Sequence, residues 1–165
     1  MSVFARRIEV ATNIAILCAF VLVAGLAADR LLGRSPDEAS EPKVGERILL
    51  PGMDWSRSER TLVLALSDGC HFCSESADFY RKLVPSARQR GLRVLAVLPQ
   101  PVSSSEIYLK QLEVSVPEIV QNSLDALQVS GTPTLLLVDR RGRIERAWVG
   151  KLDSAQEQQV LASVR

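Results

Sequence analysis

Three kinds of pattern follow one another along the chain. An opening run without charge gives way to a polar, proline-containing stretch. Short, wholly apolar blocks come next, separated by segments with apolar residues at three- and four-residue spacing. Residues 10–28 (VATNIAILCAFVLVAGLAA) carry no charge. A helix of that length rises about 1.5 Å per residue and spans roughly 28 Å, close to the hydrocarbon thickness of a bilayer. Arg6 and Arg7 stand before the run, and Asp29, Arg30 and Arg34 after it. A short basic head before an apolar run is how export signals look, and basic residues favour the cytoplasmic side. Residues 1–9 are therefore expected inside the cell. Two exported outcomes stay open: an uncleaved single-pass anchor, which the length favours, and a signal segment cut near Gly25-Leu26-Ala27-Ala28. Cys18, in mid-run, reads as a small apolar residue.

Residues 29–46 read as a flexible linker. Its portion GRSPDEASEPKVGE is polar and holds Pro36 and Pro42, a composition that cannot build a core. The folded domain is expected over residues 47–165. In it, residues 47–51 form a short strand candidate. Residues 62–66 (LVLAL), 92–98 (LRVLAVL) and 134–138 (TLLLV) are continuous apolar runs, as in strands buried on both faces. Residues 143–149 (RIERAWV) suit an outer strand, paired with the preceding one through the turn at Asp139-Arg140-Arg141-Gly142. Helices are expected from Cys70 to about Gln89, stopped by Gly91, and from a Ser103/Glu106 capping box to about Leu112. A single helical turn is expected over 123–127 and a terminal helix over 154–164. Strand, helix, strand, helix, strand, strand, helix argues for a compact α/β domain with a mixed sheet.

Composition narrows the function. The chain of 165 residues has a net charge of +1, which gives no sign of a nucleic-acid partner or an acidic one. Four arginines (Arg140, Arg141, Arg143 and Arg146) cluster at the expected hairpin and read as a solvated tip.

The chemistry concentrates in SDGCHFCSES, residues 67–76, which holds Cys70, Cys73 and the one histidine, His71. A zinc site needs about four ligands. The domain offers Cys70, Cys73 and an awkwardly placed His71 between them, so zinc would require a second subunit, and no metal is expected. A structural disulfide closing four residues would constrain little of the unfolded chain. A redox-active pair fits the setting best. Cys70 follows a buried strand and opens a helix, where unpaired N–H groups and the dipole stabilise a thiolate. Cys73, one turn on, can resolve a mixed disulfide formed at Cys70. His71 is either a solvent-facing residue or a partial positive charge that favours the Cys70 thiolate. Phe72 is either the first core residue of its helix or a partly exposed contact for substrate. The second is the expectation.

Cys70-His71-Phe72-Cys73 at a helix start, with Gly131-Thr132-Pro133-Thr134 sixty residues on, resembles the thioredoxin superfamily. The stretch 131–144, GTPTLLLVDRRGRI, is similar to its TlpA-like subgroup of tethered bacterial envelope proteins. The resemblance covers roughly residues 47–165. It implies a thioredoxin-like fold, a mixed central sheet flanked by helices. It also implies thiol–disulfide exchange through Cys70 and Cys73, with no cofactor. Pro133 would be cis beside the disulfide, with Thr132 and Pro133 holding a substrate strand. The implied partners are protein thiols or disulfides and a membrane redox protein. The implied place is the inner membrane, with the domain in the periplasm or outside the cell. Two positions depart from plain thioredoxins. Gly69 stands where Trp usually precedes the first cysteine, and Leu64 stands where a buried acid usually lies. Water, Asp68 or Glu75 would then take the Cys73 proton. With His-Phe between the cysteines, the direction of electron flow stays open. A tethered interaction module whose cysteine pair only senses redox state is the other reading. A peroxidase is disfavoured, because no Pro-x-x-x-Thr-x-x-Cys surrounds Cys70.

Overall fold

A computed structural model describes residues 42–164. The apolar run at 10–28 and most of the linker lie outside the described residues. Among the described residues, no helix is long and apolar enough to cross a membrane.

Five strands form one sheet: β1 (Arg60–Ala65), β2 (Arg93–Leu98), β3 (Glu118–Gln121), β4 (Thr134–Asp139) and β5 (Ile144–Val149). Their order across the sheet is β3-β2-β1-β4-β5. β1 runs parallel to β2, and β2 parallel to β3, whereas β4 is antiparallel to both β1 and β5. The mixed sheet expected from the apolar runs is therefore present. β1 is its centre, which explains why 62–66 is apolar throughout: both faces are covered. Leu62, Leu64 and Leu66 face one cluster and Val63 and Ala65 the other, as the two-residue period of a strand requires.

The first cluster is covered by helices: α2 (Ala77–Gln89), α3 (Val102–Gln111) and α4 (Ser154–Ser163). Phe79, Tyr80, Leu83, Val84 and Ala87 supply the buried stripe of α2. Its Pro85 lies on the exposed side. The opposite face is closed by Ile48, Leu50 and Trp55 and by a 3-10 turn, Leu124–Leu127.

Several expectations are corrected. The helix expected from Cys70 to Gln89 is two helices, a short α1 (His71–Glu75) and α2, divided at Ser76. The Ser76 hydroxyl donates back to the Phe72 carbonyl at 2.8 Å, a local bond that bends a helix. The strand expected at 47–51 is a single bridge from Arg47 to Arg143, because Leu49 turns outward while Ile48 and Leu50 plug the sheet face. The Ser103/Glu106 capping box is absent. Pro101 caps α3 without a side-chain bond, and the Ser105 hydroxyl donates to the Pro101 carbonyl at 3.1 Å. The capping box that does form opens α4, between Asp153 and Gln156. The β4–β5 turn is as expected: Asp139 Oδ1 accepts from the amides of Arg141 and Arg143, each at 2.8 Å. Gly142, at φ +78°, completes that turn.

Candidate active site

The site lies at the end of the central strand. Past β1 the Leu66 amide still donates to the Val97 carbonyl at 3.0 Å, so the chain leaves the sheet at Ser67. A turn follows, closed by the Cys70 amide on the Ser67 carbonyl at 3.2 Å. Cys70 is the N-cap of α1, with extended backbone (φ −90°, ψ 108°). Its sulfur accepts the Cys73 amide proton at 3.1 Å, the role a Ser or Asp oxygen fills at ordinary caps. Both thiols are free. Cys70 is partly exposed, and Cys73 is 0 % exposed.

The second element arrives from far along the chain. The Thr132–Pro133 peptide is cis. The Cys70 thiol donates to the Thr132 carbonyl at 3.2 Å. Two bonds fix this loop: the Gly150 amide on the Pro133 carbonyl at 2.7 Å, and the Thr134 hydroxyl on the Gly131 carbonyl at 2.8 Å. The Cys70 sulfur thus sits between an amide donor of its own helix and a carbonyl of the proline loop.

The two sulfurs differ in their surroundings. Burial, and then the adjacent Cys70, pushes the Cys73 thiol from 9.0 up to about 12. Hydrogen bonds from the Ser67 backbone and the Thr132 side chain work the other way. His71 and Phe72 lie on the outer side. The His71 side chain is 79 % exposed, and its Nε2 is 3.0 Å from Glu75 Oε1. The Lys151 ammonium donates to Glu75 Oε2 at 2.7 Å. Chiefly that lysine holds the Glu75 carboxyl below its ordinary range. Phe72 is 54 % exposed, its ring 5.9 Å from the imidazole of His71.

Cys70, Cys73, Thr132 and Pro133 therefore converge. His71 and Phe72 flank them at the surface. Of the two carboxylates considered for the Cys73 proton, Glu75 is occupied by Lys151 and His71, and Asp68 is exposed. Sequence reasoning missed two tyrosines. Tyr80 looked like one more apolar position on a helix face, and Tyr108 lay in a helix with little pattern. They border the site: the Tyr108 oxygen is 3.4 Å from Ser74 Oγ, and both tyrosines lie in the buried cluster that holds Cys73. Among the described residues, no group of three or more His, Cys, Asp or Glu side chains could hold a metal ion.

No known family profile matches the chain. A curated relative, the thiol-disulfide oxidoreductase ResA of Geobacillus thermodenitrificans, is 23 % identical over 100 residues, or 58 % of each chain. The chain thus spans only about three fifths of the curated relatives it matches. Among solved structures, the thioredoxin domain of a thiol-disulfide oxidoreductase from Bacteroides vulgatus superposes with a TM-score of 0.59 at 15 % identity. That match covers 76 % of this chain and 100 % of the other. StoA from Bacillus subtilis superposes at 0.51 with 16 % identity, over 73 % of this chain and 98 % of its own. The resemblance read from the sequence holds at the level of the fold: the domain is thioredoxin-like.

Proposed function

We propose that this protein is a membrane-tethered thiol–disulfide oxidoreductase. Residues 10–28 anchor it in the bacterial inner membrane, and the folded domain works in the periplasm or outside the cell. Its substrates are protein thiols or disulfides, and a membrane redox protein renews its cysteine pair. One observation carries the reading: a partly exposed Cys70 sulfur lies against the Thr132 carbonyl, with buried Cys73 one turn behind it. That arrangement admits a substrate disulfide to Cys70 and keeps it from Cys73. The order of attack follows. Cys70 exchanges first, and a mixed disulfide forms between it and the substrate. Cys73 then closes on Cys70 and releases the substrate thiol. Thr132 and Pro133 hold the substrate segment beside the reacting sulfur, and Phe72 and His71 meet it at the rim.

The test is a pair of substitutions in the full chain. Cys70→Ser abolishes disulfide exchange, whereas Cys73→Ser traps substrate proteins as mixed disulfides. Unimpaired exchange by the Cys70→Ser protein sinks the mechanism. Full biological activity of the double Cys→Ser protein favours the tethered interaction module instead. Protease added to intact and to opened cells checks the topology: the domain is expected to be cut once the periplasm is accessible.

A further inference from the structure

Cys73 must become a thiolate to close on Cys70. It is fully buried, and among the described residues no Asp or Glu is buried to help it. Leu64, where plain thioredoxins carry an acid, is itself 0 % exposed and apolar. The core offers two hydroxyls instead. The chain has two tyrosines, and both lie in the same buried cluster as Cys73. Tyr80 is 1 % exposed, and its hydroxyl, with Ser76 beside it, is left short of a full hydrogen bond. Its neighbour Ser76 directs its own proton to the Phe72 carbonyl. A buried hydroxyl without a partner costs stability, so its retention asks for a reason. Cys73 lies in α1 and Tyr80 in the first turn of α2, and both enter the same buried cluster across the break at Ser76. Helical side chains lean toward the N-terminus, which in α2 is the end next to α1. Tyr108 approaches from α3. Its hydroxyl meets Ser74, and its ring lines a solvent-open cavity of about 440 Å³ together with Asp68 and Gly69, the residue before Cys70. Burial holds both phenols above their ordinary range, so they remain O–H donors.

We propose that Tyr80 and Tyr108 replace the missing buried acid: their hydroxyls turn to the Cys73 sulfur as it ionises, and the cavity beside Tyr108 takes its proton to solvent. The inference deepens the oxidoreductase reading and rests on it. The Cys73 S–H bond breaks, and its proton passes to water in the cavity. The freed electron pair forms the Cys73–Cys70 bond. The bond from Cys70 to the substrate sulfur breaks, and that sulfur leaves with its pair and takes a proton from water. The groups that act on Cys73 are Cys70, the Ser67 backbone and the Thr132 side chain; Ser76 and the two cysteines act on Tyr80, and Ser74, the two cysteines and Asp68 on Tyr108. His71, Glu75 and Lys151 form a separate cluster at the surface.

The test uses the full chain carrying Cys18→Ala and an aromatic disulfide, dithiobis(nitrobenzoate), as substrate. Attack by Cys70 releases one thionitrobenzoate, and closure by Cys73 releases the second. Tyr80→Phe and Tyr108→Phe together slow the second release about tenfold, and about one unit of added pH restores it. The first release keeps its rate. Tyr80→Phe leaves the melting temperature nearly unchanged, since the hydroxyl it removes makes no full hydrogen bond. Fluorotyrosine at both positions, equal in shape and a stronger donor, speeds the second release. Phenylalanine variants or fluorotyrosine protein with a second release at the wild-type rate overturn the inference alone. A wild-type protein that never gives the second release overturns the oxidoreductase reading as well.

Discussion

Raising the pH on the reduced protein tests the burial of Cys73. The folded protein holds the Cys73 proton up to about 12, whereas the ordinary value is 9.0. An unfolded chain releases that proton first, so alkaline solution draws the equilibrium toward unfolding. The contribution is whole below 9 and drains between 9 and 12. Each pH unit inside that window is worth at most about 1.4 kcal/mol. Integrated from about pH 8 to about pH 10.5, the loss reaches about 2 kcal/mol at its limit, and about 1–2 kcal/mol once water entering the site is allowed for. For a domain of this size that is a fall of roughly 4–10 °C in melting temperature. The assay is urea unfolding at those two pH values of three proteins: reduced wild type, oxidised wild type and reduced Cys73→Ser. Tyr80, also raised by burial, titrates in all three and cancels in the comparison. Reduced wild type loses more stability than either of the others. Equal losses in all three would refute the reasoning and show that the Cys73 sulfur is already solvated.

Other perturbations test the frame around the site. Gly142→Ala places a Cβ 2.7 Å from Cδ1 of the buried Trp55 at φ +78°, which costs about 2–3 kcal/mol in a thermal melt. Arg93→Ala removes a two-pronged bond to Glu118, at 2.8 and 2.5 Å, and a third bond to the Asp54 carbonyl at 2.8 Å. Glu118 is 38 % exposed, so the loss is about 1–2 kcal/mol, read as faster amide exchange in β3 than in β1. Lys151→Ala returns the Glu75 carboxyl toward its ordinary 4.5, visible in its carboxyl-carbon titration. Because the lysine lowers that value, its support is present above 4.5 and fades as the pH falls through the folded midpoint.

The sheet was legible because its inner strands are buried on both faces. Residues 62–66, 94–98 and 135–138 are apolar throughout, as a central layer allows, and β1, β2 and β4 are that layer. β3 was not legible. Glu118–Gln121 is an edge strand four residues long, half covered, so no apolar run marks it. Residues 47–51 misled for the opposite reason: Ile48 and Leu50 are apolar because they plug a sheet face, not because they extend the sheet. In the site, Cys70 and Cys73 were readable from spacing, and Thr132-Pro133 from the resemblance. The Glu75 bridge between His71 and Lys151 was not, because Lys151 lies 76 residues away and only the fold joins them. The tyrosines were hidden in plain periodicity, since a buried phenol and a buried phenylalanine give the same pattern.

The break at Ser76 bears on what makes the two sulfurs unequal. A long helix from Cys70 would have placed the weight on its dipole. α1 has only five residues, and its ladder ends in the Ser76 bond to Phe72. The macrodipole is correspondingly short. Position relative to the core is what distinguishes the pair. Cys70 is the cap, outside the first turn and against the Thr132 carbonyl, where a substrate disulfide can reach it. Cys73 is one turn in, and that turn points it into the cluster of Leu64, Tyr80 and Tyr108. The same geometry on which the two proposed roles rest creates the difficulty of ionising the second sulfur. Any chain that buries the resolving thiol this deeply must supply it with donors from the core. Here the Ser67 backbone and the Thr132 side chain already favour the thiolate, and the donors proposed to join them are phenols, not a carboxylate.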